Sequence, residues 1–255
     1  MIRLQVLASS SEGNAYVIQT DGEALLLEAG APFRETLKAL DYDTDKIAGC
    51  LITHEHGDHA GHINELLSYG LPVYASKGTI EAVEARLNPN YIRPRTLTGN
   101  AQEGYESLTL GGFTVQPFAT QHDAAEPLGF LVWHEEAGTV LFATDTYYLA
   151  PKFEGLNHVL IECNYSPESL ARAVDTYGMS AKLAERIRAS HLSLDTCIDT
   201  LLANDLHGVS NIVLIHVSSQ TGDARHFRTA VERATGIPTV VARPGVTVDL
   251  GKDPF

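Results

Sequence analysis

The sequence predicts an α/β protein of two mixed β-sheets with helices outside, and three observations carry that reading. Residues 105–144 read as strands in hairpin style, and the C-terminal half alternates strands with helices. Several of the most apolar strands end on a histidine or an acidic residue, and sites in layered α/β proteins collect at such strand ends. At 255 residues the chain suits one such domain or two tightly packed halves, and it can bury a full core.

The opening Met1-Ile2-Arg3-Leu4-Gln5-Val6 alternates like a strand, and strands are expected near 2–8, 14–20 and 23–29. Pro32 stands where a first helical turn tolerates proline, so a helix should run from Pro32 to about Leu40. The apolar run Ile47-Ala48-Gly49-Cys50-Leu51-Ile52 predicts a strand over 47–53. Helices at 61–69 and 77–87 follow, joined by a short strand at 72–75. Residues 88–104 hold Pro89, Pro94, Gly99 and Gly104 and read as loop. Strands near 105–110, 112–119, 128–134 and 138–144 come next, with Glu136-Ala137-Gly138 turning the last pair. The remainder alternates: strand 158–163, helices 168–176, 179–189 and 194–204, strand 211–216, helix 223–235, and strands 238–241 and 246–249. Ser193 is placed to cap the helix that begins at 194.

Composition narrows the functional classes. A hydrophobic content of 44% is ordinary for a globular protein, and no segment is long or apolar enough to span a bilayer. The N-terminus lacks the apolar core of a signal peptide. Cys50, Cys163 and Cys197 are scattered without a C-x-x-C, so no disulfide framework is expected and the compartment reads as reducing cytoplasm. A formal charge of −14 and a pI near 5.1 argue against a broad nucleic-acid-binding surface, though they leave room for a local site.

The densest chemistry lies in Thr53-His54-Glu55-His56-Gly57-Asp58-His59, directly after the strand expected at 47–53. Imidazole and carboxylate together suit zinc, manganese or iron. A strand that delivers them onto a loop gives the cluster a rigid base. His54 and His56 lie two apart and can face the same way in an extended segment. Asp58 and His59 are adjacent, so they should point apart and serve a second ion. Three later strands each end on a ligand-type residue: His122 after Phe118-Ala119-Thr120-Gln121, Asp145 after Val140-Leu141-Phe142-Ala143-Thr144, and His216 after Ile212-Val213-Leu214-Ile215.

With these residues in order, the chain resembles the metallo-β-lactamase-fold hydrolases across nearly its whole length. His54, His56, Asp58 and His59 match that superfamily's H-x-H-x-D-H signature, and His122, Asp145 and His216 match its later metal-ligand motifs. The resemblance implies an αββα sandwich forming a single metallo-β-lactamase-like domain over residues 1–255. It implies two divalent metal ions, zinc or manganese with iron as a further option. His54, His56 and His122 would hold one ion, Asp58, His59 and His216 the other, and Asp145 would bridge them. Two such ions, offset by Asp58, Asp145 and a hydroxide, leave a centre of roughly +1 that attracts phosphate. One departure stands out: Glu28 occupies a position where the family usually has an aspartate that supports the signature loop without ligating.

Two further features resemble one branch. Leu160-Ile161-Glu162-Cys163-Asn164-Tyr165 and Ser190-His191-Leu192-Ser193 look like the accessory Glu and His motifs of the tRNase Z and YycJ/WalJ-like phosphodiesterases. Leu7-Ala8-Ser9-Ser10-Ser11-Glu12-Gly13-Asn14 resembles the segment that opens YycJ/WalJ-like proteins. The resemblance implies a cytoplasmic phosphodiesterase or nuclease, similar to a 5′-to-3′ DNA exonuclease, that uses a water activated by two metals. Asp58, His191 and Glu162 would be its catalytic residues: Asp58 steers the nucleophile and Glu162 orients His191. The implied partner is a nucleic-acid or other phosphodiester substrate and not a membrane; the oligomeric state is open, and a homodimer is compatible with it. The alternative is a small-molecule hydrolase of a lactone, thioester or β-lactam, which would need the metals but not His191. His62, His134, His158, His207 and His226 read as ordinary loop, core or surface histidines. Arg172, Lys182, Arg186 and Arg188 read first as a solvated helix face and second as a phosphate rim. Tyr147-Tyr148 could stack on a base or pack in a loop.

Overall fold

The computed structural model describes residues 1–252. In chain order its strands begin with β1 (Arg3–Ser10), β2 (Gly13–Gln19), β3 (Ala24–Leu27), β4 (Ile47–Leu51), β5 (Val73–Ala75) and β6 (Arg95–Thr96). They continue with β7 (Gly99–Asn100), β8 (Gly104–Tyr105), β9 (Leu108–Leu110), β10 (Phe113–Ala119), β11 (Leu128–His134) and β12 (Gly138–Ala143). The last are β13 (Leu156–Glu162), β14 (Asn211–Ile215), β15 (Thr239–Val241) and β16 (Thr247–Asp249). The helices are α1 (Phe33–Ala39), α2 (Gly57–Ala60), α3 (Ile63–Ser68), α4 (Lys77–Val83), α5 (Pro167–Tyr177), α6 (Ala181–Ser190), α7 (Leu194–Leu202) and α8 (Ala224–Thr235).

Two seven-stranded sheets result, ordered β16-β1-β2-β3-β4-β5-β6 and β15-β14-β13-β12-β11-β10-β9, with β7 and β8 as a separate ribbon. Both are mixed. β1, β2 and β3 pair antiparallel, whereas β3 through β6 pair parallel. β9, β10 and β11 pair antiparallel, whereas β12 through β15 pair parallel. Burial does not track this division. Antiparallel Gly13–Gln19 and half-parallel Ala24–Leu27 are buried at every position, as strands covered on both faces are, while Phe113–Ala119 largely alternates buried and half-buried residues.

Two compact units make up the chain. One comprises Met1–Ala119, Ala124–Gly138 and the chain from Arg243; the other comprises Thr120–Asp123 and Thr139–Ala242. In the first, Val17, Leu26, Phe33, Ile52, Leu66 and Val73 belong to one buried apolar cluster. In the second, α5 and α6 close over a small core of Tyr165, Leu170 and Ala184. Ser193 caps α7 as its type predicts, its Oγ accepting the Thr196 N–H at 3.1 Å. No helix among the described residues is long and apolar enough to cross a membrane.

The differences from the sequence reading have physical reasons. The helix expected at 61–69 is shorter, and a separate helical turn, α2, lies on the signature residues themselves. His62 separates the two because its N–H donates to the Ala29 carbonyl at 2.8 Å instead of continuing a helix. The helix expected over 77–87 gives way after Val83 to a 3₁₀ turn, Glu84–Arg86. The stretch read as loop at 88–104 contains β6, β7 and the start of β8. Gly99 and Gly104 take left-handed φ values of 114° and 90°, and Asn100 Oδ1 accepts the Gln102 and Glu103 N–H groups, which folds the ribbon back on itself. The strand expected from 105 therefore starts only at Leu108.

Candidate metal centre

The first unit carries the signature. β4 runs out through Ile52 and Thr53 to His54, which is fully buried. The rings of His54 and His56 lie 4.6 Å apart and those of His54 and His59 4.2 Å apart, so the three imidazoles converge. Asp58 and His59 do not point apart. They sit on the turn of α2, not on an extended segment, and Asp58 Oδ2 lies 3.4 Å from His59 Nε2. Gly30 permits this turn: a Cβ there would fall 1.7 Å from the Asp58 carbonyl oxygen.

Glu28, at the end of β3, braces the cluster. Its carboxylate accepts the Thr53 hydroxyl at 2.5 Å and the Thr53 N–H at 3.2 Å, and it lies 3.3 Å from His59 Nδ1. Thr53 Oγ1 in turn lies 2.9 Å from His54 Nδ1. One buried carboxylate thus reaches two histidines, one directly and one through a hydroxyl, as the outer partners of metal-ligating histidines do. Asn14, which ends the Leu7–Asn14 segment, places Nδ2 3.1 Å from His59 Nε2 and donates to the Ser10 carbonyl.

The second unit gathers the rest. His122 Nδ1 donates to the Ser190 carbonyl at 2.9 Å, which fixes its tautomer, and its Nε2 lies 3.6 Å from Asp145 Oδ2. Burial lowers the His122 pKa below the ordinary histidine value, against the pull of Asp145, and a neutral ring is the form that ligates. Asp145 Oδ1 lies 3.0 Å from His216 Nδ1 and accepts the Thr144 hydroxyl. His191 stacks on His216 with ring centroids 5.4 Å apart and lies equally far from His122. Its Nδ1 donates to Glu162 Oε1 at 2.6 Å. Burial opposes a charged His191, but the charge and hydrogen bond of Glu162 outweigh it and raise the pKa to about 9.

Ligand-type atoms of Asp145, Glu162, His191 and His216 all lie within 4.8 Å of one another. Buried histidine nitrogen and carboxylate oxygen at this spacing fit a divalent transition metal. Glu162 is otherwise engaged, since its second oxygen accepts the Thr146 and Leu192 N–H groups. That leaves Asp145 and His216 as the donors of the group, with His191 held beside them.

Glu28, Asp145 and His216 share a backbone feature that no residue type announces. Each follows a strand end and has positive φ, at 69°, 47° and 52°. Non-glycine residues in this region are uncommon and cluster at functional sites. Thr53, Asn14 and the Ser190 carbonyl also escaped the sequence reading as supports, because hydroxyl, amide and backbone groups are too frequent to stand out.

The remaining candidate histidines, tyrosines and cations have partners of their own or face water. His62 pairs with Glu65, His134 with Glu23 and His158 with Asn211. His207 is exposed, and His226 lies in the first turn of α8. Tyr147 and Tyr148 are exposed and do not pack in a core. Arg172, Lys182 and Arg188 are exposed on α5 and α6, and Arg186 pairs with Asp123 at 3.1 Å.

Residues 24–217 match the family described as Beta-lactamase superfamily domain. The Exodeoxyribonuclease YycJ of Bacillus anthracis is 32% identical over 184 residues, 66% of this chain and 65% of that protein; the chain thus matches just under two thirds of that relative's length. The Exodeoxyribonuclease WalJ of Streptococcus pneumoniae serotype 2, strain D39, is 26% identical over 227 residues, 86% of this chain and 82% of the relative. Zn²⁺-bound PqqB from Methylobacterium extorquens matches 97% of this chain and 99% of its own with a TM-score of 0.73 at 16% identity, a likeness of fold.

Proposed function

This chain belongs to the metallo-β-lactamase superfamily, and from that membership we propose that it is a metal-dependent phosphodiesterase acting on nucleic acid, similar to a 5′-to-3′ DNA exonuclease. It works as one metallo-β-lactamase-like domain in the reducing cytoplasm, a setting that suits its three free, buried cysteines. His54, His56 and His122 would hold one ion and Asp58, His59 and His216 the other, with Asp145 shared between them, as the family resemblance implies. The metal is zinc or manganese; a neighbour in fold carries zinc. When bound, two such cations lower the pKa of a water and polarise the phosphoryl oxygens.

The observation that favours a phosphodiester over other substrates is the His191–Glu162 pair. Glu162 is fully buried, fixes the His191 ring through Nδ1 and stabilises its charge. The opposite nitrogen is then the proton donor for a leaving alkoxide, and Asp58 orients the attacking water. A lactone or thioester hydrolase needs no such donor beside its metals. That second reading keeps one support, the −14 charge, which is unhelpful for gripping a polyanion.

The test is His191→Ala. Elemental analysis should find about two divalent ions per chain in both proteins, since His191 holds neither. Cleavage of end-labelled DNA should fall at least about tenfold, the lower end for a lost general acid. Turnover of bis-p-nitrophenyl phosphate, with its better leaving group, should fall less. Wild-type rates on DNA and RNA in the variant, or a wild type that opens lactones and cleaves neither nucleic acid, would reject the proposal.

A further inference from the structure

Within the second unit, the elbow between α5 and α6 opens a cleft of about 540 Å³ lined by Ala173, Tyr177, Gly178, Met179, Leu183 and Gln220. Its two largest apolar side chains face water, Tyr177 at 73% and Leu183 at 43% exposure. Its walls are fixed. Gly178 ends α5 in a left-handed conformation with φ of 75°, and Val174, Met179 and Ile187 pack on the Tyr165, Leu170 and Ala184 core behind it. We propose that this cleft is a nucleobase subsite that grips the substrate strand away from the bond being cut, an inference that rests on the phosphodiesterase reading and extends it.

Charge complementarity selects this occupant. The first turn of α6, capped by Ser180, holds no acidic residue and carries Lys182, which places a cation beside the cleft. One turn on, Arg186 pairs with Asp123, whose other oxygen lies 3.3 Å from His122 Nε2. Arg186, three residues on from Leu183 in α6, is thus linked through Asp123 to His122. From Leu183 to His191 along α6 is about 12 Å, the length of three to four stacked nucleotides. A base in the cleft would stack on Tyr177 and meet the Gln220 amide, while Lys182 would meet the phosphates that lead to His191, joined by Arg186 where a phosphate displaces Asp123. In a chain of net charge −14, this is cationic and aromatic surface placed together beside the candidate centre.

The experiment compares wild type with Tyr177→Ala and Tyr177→Phe. Tyr177 is exposed at the end of a helix, and circular dichroism should show all three folded. The first readout is anisotropy of a fluorescein-labelled ten-thymidine strand with hydrolysis-resistant phosphorothioate linkages, bound to the metal-loaded protein. Tyr177→Ala should weaken binding at least about fivefold, the low end for losing one base–aromatic stack, and Tyr177→Phe should bind like wild type. The second readout is turnover: bis-p-nitrophenyl phosphate, too short to reach the cleft, should be cleaved equally by all three, while KM for long strands should rise in Tyr177→Ala alone. Equal affinity of wild type and Tyr177→Ala for the strand overturns the subsite even if phosphodiester turnover stands. Loss of a dimer in Tyr177→Ala by light scattering also overturns it, because the cleft then holds a second copy. A wild type that binds the strand through Tyr177 but cleaves no phosphodiester retains the subsite and rejects the nuclease reading.

Discussion

Glu28 braces the signature histidines, and its side chain is one methylene longer than an aspartate. The extra reach lets a single carboxylate contact both Thr53 and His59. Glu28→Gln preserves size but removes the charge that polarises His59. Metal affinity, measured by competition with a chromogenic chelator, should fall about 10- to 100-fold, as when an outer partner of a ligand is lost. An unchanged affinity would mean that Glu28 only fills space. The candidate ligands could be nominated because histidine and aspartate at the ends of apolar strands carry their chemistry in their identity. The way they are aimed was not. Nothing about Glu28, Asp145 or His216 announces a positive φ, and Ser190 acts on His122 through a carbonyl that every residue possesses.

The elements carrying these residues were legible wherever hydrophobic periodicity was strong. β10, β11, β12, α5, α7 and α8 fall within a few residues of their expected places. Legibility failed where backbone contacts from distant segments decide. α2 is a four-residue turn, too short to show a period, and it is fixed by its fit against Gly30. That fit predicts opposite outcomes for two neighbouring glycines. Gly30→Ala would drive a methyl into the Asp58 carbonyl, so the urea midpoint should drop by the equivalent of about 1–3 kcal/mol and metal binding should weaken. Gly57→Ala meets nothing within 4 Å and lies at a helical φ, so its midpoint should hold or rise by a few tenths of a kcal/mol. Equal losses in both would show that α2 is not seated against Gly30.

At the scale of the molecule, 32 acidic residues against 18 basic ones restrict how a polyanion can be held. A protein that tracks a duplex replaces many counterions, and its affinity falls steeply with salt. This chain offers few cations for that purpose, and several are already engaged: Arg34 and Lys38 with Glu35, Arg93 with Glu84, and Arg228 with Glu232. Lys182 on α6 would contribute one phosphate contact and Arg186, paired with Asp123, a second when a phosphate displaces that carboxylate, and the slope for a single strand is about −0.7 for each. A plot of log affinity against log salt between 50 and 200 mM should therefore have a slope of about −1.4, rising toward −2 with one further contact. Single strands should compete well against duplex of equal length, because on the proposed reading stacking and the metal centre, not an extended basic track, would provide the grip. A slope steeper than about −5 would require a phosphate-binding surface that the charge distribution of this chain does not supply, and it would point to duplex as the substrate.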